Sequence, residues 1–92
     1  MGEVLLQYMI KGSSPEVDLE AVAKEVREKL ATVDKRIKMQ DGVEIKPLYF
    51  GIKGATVQFI IPEEDGMQDK LEEFIRGIDG VEDAELTFVS RL

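Results

Sequence analysis

Apolar side chains take every second position over residues 3–11, with Val4, Leu6, Tyr8 and Ile10 on one parity and Glu3, Leu5, Gln7, Met9 and Lys11 on the other. That period belongs to a strand, and Gly12-Ser13-Ser14-Pro15 ends it. The spacing then changes. Leu19, Val22, Ala23, Val26 and Leu30 fall at i, i+3, i+4, i+7 and i+11, the apolar stripe of a helix. Asp18 just before it is the expected N-cap, its carboxylate accepting from the free amides of the first turn. Ile37, Met39, Val43, Ile45 and Leu48 predict a second strand over residues 35–48, interrupted at Asp41-Gly42 by a bulge rather than a hairpin because the arms are short. Across a Phe50-Gly51 turn the chain returns over 52–61, with Ala55, Val57, Phe59 and Ile61 alternating. After the loop Pro62-Glu63-Glu64-Asp65-Gly66, a second helix places Met67, Leu71, Phe74, Ile75 and Ile78 on one face and closes at Gly77 and Gly80. A last strand starts at Val81, with Ala84, Leu86, Phe88 and Leu92 on one parity.

The order β-α-β-β-α-β predicts an α+β, ferredoxin-like sandwich: a four-stranded antiparallel sheet, order 4-1-3-2, with two helices on one face. A chain of 92 residues forms one such domain, 1–92. In this topology the turn between the second and third strands lies at one end of the sheet and the C-terminus at the other. An eight-residue strand separates them by roughly 27 Å, so an agent that engages both is a protein surface and not a small ligand. The turn itself, within Lys46-Pro47-Leu48-Tyr49-Phe50-Gly51-Ile52-Lys53-Gly54, carries two of the six aromatic residues. Turns lie at the surface. Rings there either fold back onto the core or face a partner, and the partner reading is preferred.

Composition removes most chemistry. Histidine and cysteine are absent, and with them the usual general base, the thiolate nucleophile and the soft metal ligands. Glu63-Glu64-Asp65-Gly66 lacks calcium-loop spacing and reads as a solvated loop whose charge favours the following helix N-terminus. No phosphate-loop motif is present, so neither a metal nor a nucleotide cofactor is expected. The formal charge of −7 opposes direct contact with nucleic acid. Lys53-Gly54 is followed by Ala55-Thr56-Val57, which leaves the stacking positions of an RNA-recognition strand empty. Gly51-Ile52-Lys53-Gly54 opens a strand instead of joining two helices, unlike a KH loop. Much of the acidity reads as solvated helix surface with i,i+4 lysine partners, Glu20/Lys24 and Glu25/Lys29. No apolar run approaches the ~20 residues that span a bilayer, and Met1-Gly2-Glu3-Val4 has no signal-peptide profile, so the cytoplasm is the expected compartment.

Five segments, taken in order, resemble the elongation factor 1-beta family, both its archaeal members and the catalytic domain of the eukaryotic ones. They are Met1-Gly2-Glu3-Val4, Ser14-Pro15-Glu16-Val17-Asp18-Leu19-Glu20, Pro47-Leu48-Tyr49-Phe50-Gly51-Ile52-Lys53, Gly80-Val81-Glu82 and the terminal Arg91-Leu92. The resemblance covers essentially the whole chain and implies the same ferredoxin-like fold. It further implies a non-enzymatic factor that exchanges GDP for GTP on the elongation factor 1-alpha GTPase, which delivers aminoacyl-tRNA; separately, the chain is expected to be a monomer when free. On this likeness the partner-binding residues are Tyr49, Phe50, Gly51, Lys53, Arg91 and Leu92. Phe50 would contact the GTPase from the turn, and Arg91 would press toward its Mg²⁺ and phosphate site with Leu92 docking beside it. Two positions depart from the archaeal pattern: Ser90 stands where a second basic residue is usual, and Tyr49 where a small one is. Two rival readings share the topology. One is a regulatory module that binds a small molecule as a dimer through an open sheet face bearing Leu5, Met9 and Val89; the other is an RNA-binding module.

Overall fold

The Tyr8 and Phe59 rings pack edge-to-face, 67° between their planes at a centroid separation of 6.0 Å, and around this pair the two halves of the chain close. The computed structural model describes residues 2–49 and 51–92. The elements are β1 (Glu3–Gly12), α1 (Leu19–Lys29), β2 (Lys38–Met39), β3 (Glu44–Tyr49), β4 (Ile52–Pro62), α2 (Met67–Arg76) and β5 (Val81–Arg91). All pairings are antiparallel: β1 lies between β4 and β5, and β2 and β3 both pair with the outer side of β4. With β2 and β3 counted as two pieces of one edge strand, this is the predicted ferredoxin-like order.

The parity that alternation assigned to the core is buried. Leu6, Tyr8 and Ile10 from β1 and Ala55, Val57, Phe59 and Ile61 from β4 are covered by Leu19, Val22, Ala23 and Val26 of α1 and by Met67, Leu71 and Ile75 of α2. Asp18 caps α1 as expected, its Oδ1 accepting from the amides of Glu20 at 3.0 Å and Ala21 at 3.3 Å. On the solvent side Lys29 pairs with Glu25 at 3.4 Å. Lys24, however, pairs forward with Glu28 at 4.0 Å and not back with Glu20.

The strand expected over 35–48 is shorter and broken. Its start is displaced because Asp34 accepts from the Arg36 amide at 2.8 Å and from the Ile37 amide at 3.2 Å, which holds residues 34–37 in a turn. Met39 then faces Phe59 and Glu44 faces Thr56, so residues 40–43 span the length of only two residues of β4. The excess is a large bulge at the Asp41-Gly42 site, with Gly42 in the left-handed region at φ 92°. Gln40 N still donates to Gln58 O at 2.8 Å, which keeps both pieces on one edge.

The second correction concerns β5. Tyr8 faces Leu86 but Gln7 faces Phe88, so Thr87 is an extra residue and the parity reverses there. Ala84 and Leu86 lie opposite Ile10 and Tyr8, on the core side. Beyond the bulge, Val89 lies opposite Leu6 on that same side, while Phe88, opposite Gln7, turns to the open face. Phe88 therefore does not continue the core row with Ala84 and Leu86, and Val89 is not on the open face with Leu5 and Met9.

Candidate functional site

The register fixes how far apart the two expected contact regions stand. Lys11 faces Gly54 next to the β3–β4 turn, whereas Val4 faces Arg91. Seven residue steps along β1 separate these rungs, roughly 24 Å. The regions occupy opposite ends of a molecule whose long axis is 42 Å.

At the first end, Tyr49 closes β3 opposite Ile52. Gly51 has φ 77°, a conformation that suits a residue without a Cβ. A Cβ built there would lie 3.4 Å from Pro15 Cβ, so the turn rests against the β1–α1 loop. Phe50 lies outside the described residues. Lys53 is exposed and faces Pro47. One residue on, Gly54 lets Met9 and Leu48 close over the backbone: Met9 Sδ is 2.6 Å and Leu48 Cδ1 2.9 Å from where a Cβ would stand. These side chains support the base of the turn from the open face.

At the other end, the strand ladder carries the chain out to its last residues. Arg91 pairs with Val4, and Leu92 N donates to Glu3 O at 3.0 Å. The tail is thus the end of a strand with its side chains held outward: Arg91 is 81% exposed on its side chain and Leu92 65% overall. Arg91 Nη2 lies 2.7 Å from Glu63 Oε1. Glu63 is placed by its own amide, which donates to Gly2 O at 2.9 Å. The next carboxylate is held separately: Glu64 accepts from Arg36 Nη1 and Nη2, both at 2.8 Å. Arg36 also clamps Asp34, whose carboxyl it holds down to about 2, chiefly through the side-chain hydrogen bond.

Thus the loop read as merely solvated contributes partners to two arginines. Glu63 was not recognisable as a site residue, because its contact with Arg91 depends on tertiary placement. Ser90 faces Leu5, adding no charge beside Arg91. Among the described residues no group of three or more His, Cys, Asp or Glu is positioned to hold a metal ion. No described helix is long and apolar enough to cross a membrane. An open cleft of about 460 Å³ lies between α1 and the broken edge strand, lined by residues including Ala23, Arg27, Met39 and Val43. None of its lining residues is among the expected partner contacts.

The fold belongs to the ferredoxin-like α+β class. It is similar to the C-terminal domain of MgtC from Mycobacterium tuberculosis, with TM-score 0.61, 12% identity and coverage of 99% of this chain and 89% of that one. It is also similar to the ACT domain of the GTP pyrophosphokinase of Chlorobium tepidum, with TM-score 0.55, 14% identity and coverage of 98% and 99%. At these identities the likeness concerns the fold alone. Sequence carries the rest. Residues 5–92 match the EF-1 guanine nucleotide exchange domain. The chain is 33% identical over 92 residues to elongation factor 1-beta of Methanothermobacter thermautotrophicus, covering 100% of this chain and 99% of the relative. It is 36% identical over 93 residues to that of Hyperthermus butylicus (100% and 97%), and 37% over 91 residues to that of Pyrobaculum aerophilum (98% and 95%). The chain belongs to the EF-1 guanine nucleotide exchange domain family. It is a nucleotide exchange factor of translation and not an enzyme, and an exchange domain of this family implies EF-1 alpha as its partner.

Proposed function

We propose that the chain exchanges GDP for GTP on the EF-1 alpha GTPase by bridging two regions of it. The β3–β4 turn, with Tyr49, Phe50, Gly51 and Lys53, grips one region. Arg91 and Leu92 engage the other, with the Arg91 guanidinium directed at the GTPase's Mg²⁺ and phosphate site. The supporting observation is the placement of Arg91. An exposed cation stands at the tip of a strand whose backbone is paired as far as Leu92 N, so the charge is projected from a rigid base.

Mg²⁺ on a bound nucleotide neutralises phosphate charge. A guanidinium presented at the same place competes for that role, and whatever weakens nucleotide on the complex equally weakens the exchanger on the loaded GTPase. Two unit charges near 4 Å interact by about 4 kcal/mol at an effective dielectric near 20, a scale of roughly three decades in nucleotide affinity. No bond is made or broken. The domain acts as a monomer, without a cofactor, nucleic acid or membrane as a direct partner.

Release of fluorescent GDP from EF-1 alpha, with and without this chain, tests the reading. Arg91→Ala, or removal of Arg91 and Leu92, is expected to lower the accelerated rate by two to three decades, the greater part of that electrostatic scale. Full activity in both variants would overturn the role given to Arg91.

A further inference from the structure

The large hydrophobic side chains that are half or more exposed among the described residues are Phe88 at 51%, Val89 at 50% and Leu92 at 65%. Isolated exposed hydrophobics are ordinary on a protein surface. These three fall within five consecutive positions on one side of the molecule. Phe88 and Val89 lie on β5 and Leu92 directly follows it; β5 pairs with β1 and with no other described strand, so its outer side is a free edge. Free edges are usually protected by charge. The first half of β5 follows that rule with Glu82, Asp83 and Glu85, whereas residues 86–90, Leu-Thr-Phe-Val-Ser, carry none. The Thr87 bulge then sets Phe88 on the open face and Val89 on the helix-side face, one on each flank of the edge.

We propose that Phe88 and Val89 are apolar anchors of the surface that meets EF-1 alpha, astride the free edge of β5. The inference rests on the reading that Arg91 enters the GTPase's nucleotide site. Along a strand, Val89 and Phe88 stand only about 7 and 10 Å from Arg91. A protein that receives the guanidinium in a recessed phosphate site must bring its surrounding surface over both residues. The occupant is therefore the same GTPase, which meets the edge with an apolar cleft that accepts one side chain on each flank. The division of labour is physical: the anchors supply binding before and after nucleotide leaves, and Arg91 supplies the interaction that displaces it.

The experiment is a titration of fluorescent-GDP release from EF-1 alpha against exchanger concentration, for the unmodified chain, Phe88→Ala, Val89→Ala, the double variant and Arg91→Ala. Each single anchor variant is expected to raise the half-saturating concentration about tenfold, and the double variant further, while the saturating rate stays unchanged. Arg91→Ala is expected instead to lower the saturating rate. An unaltered half-saturating concentration in the double variant overturns the proposal. So does sedimentation showing that the unmodified chain is a dimer that Phe88→Ala converts to monomer, because a second copy then covers the edge. A normal saturating rate in Arg91→Ala, with weakened half-saturation in the anchor variants, removes the role of Arg91 and leaves the docking edge standing. Both side chains are half exposed, and matching thermal transitions among the variants establish that folding is not the cause.

Discussion

Arg91 Nη2 and Glu63 Oε1 stand 2.7 Å apart, so the cation expected to act on a partner already has an anion of its own. Glu63 opens the β4–α2 loop, and Arg91 ends β5. The sheet brings them to the same end through β1, whose Val4 lies between Ile61 and Arg91. To reach a phosphate site the guanidinium must exchange one acceptor for another.

That exchange predicts a gain of function. An exposed ion pair contributes about 0–1 kcal/mol, so Glu63→Gln should shift the urea midpoint little. Freeing Arg91 should raise the apparent affinity for EF-1 alpha by up to about fivefold, because a competing state of the exchanger is removed. GDP-release titrations read this directly. A loss of exchange comparable to that of Arg91→Ala would mean instead that Glu63 holds the guanidinium in its working orientation.

Gly51 offers a test at the opposite end. Its φ of 77° disfavours a side chain, while a Cβ there would meet Pro15 only at ordinary contact distance. Gly51→Ala should destabilise the fold by about 1–2 kcal/mol, the usual cost of left-handed backbone for an L-residue. It should also raise the concentration of exchanger needed for half-maximal GDP release, because the turn presented to the GTPase is re-aimed. Unchanged half-saturation would separate the turn's conformation from its binding role.

What was legible in the sequence follows from the range of each interaction. The helical stripe from Leu19 to Leu30 and the Asp18 cap are local, and they stand as the spacing predicts. The alternation in β4 also holds, since Ala55, Val57, Phe59 and Ile61 are all buried. Alternation failed in β5 because the Thr87 bulge is a property of its pairing with β1. The one local sign was the adjacent Phe88 and Val89, apolar on both parities. The Glu63–Arg91 pair left no local trace, for its members are brought together only by the completed sheet.

Acid provides a further test through Asp34. Arg36 holds this carboxyl down to about 2, so it stays ionised in the folded chain where the unfolded chain, near the ordinary value of about 3.9, takes up a proton. Its contribution to stability is full above that ordinary value and is lost as pH falls toward 2. Asp34→Asn should therefore flatten the dependence of the urea midpoint on pH between about 4 and 2. An identical pH profile in the variant would remove Asp34 as a source of acid sensitivity.

Tyr8 links the core to the surface beneath α2, and its hydroxyl gives the sharpest test of that layer. The ring is buried against Phe59, and the hydroxyl donates to Glu72 Oε2 at 2.9 Å. Burial, reinforced by the Glu72 carboxylate, pushes the phenol well above its ordinary range, so it remains a donor at neutral pH. Glu72 has other partners, accepting from Gln68 Nε2 at 3.0 Å and pairing with Arg76 Nη1 at 3.5 Å. Tyr8→Phe therefore removes one charge-assisted bond without stranding the carboxylate and should cost about 1–2 kcal/mol in urea unfolding. Tyr8→Ala should cost about 3–5 kcal/mol, because the edge-to-face packing on Phe59 and the buried volume go with it. Equal losses in the two variants would place the whole contribution in the hydroxyl and none in the ring, contrary to the packing described.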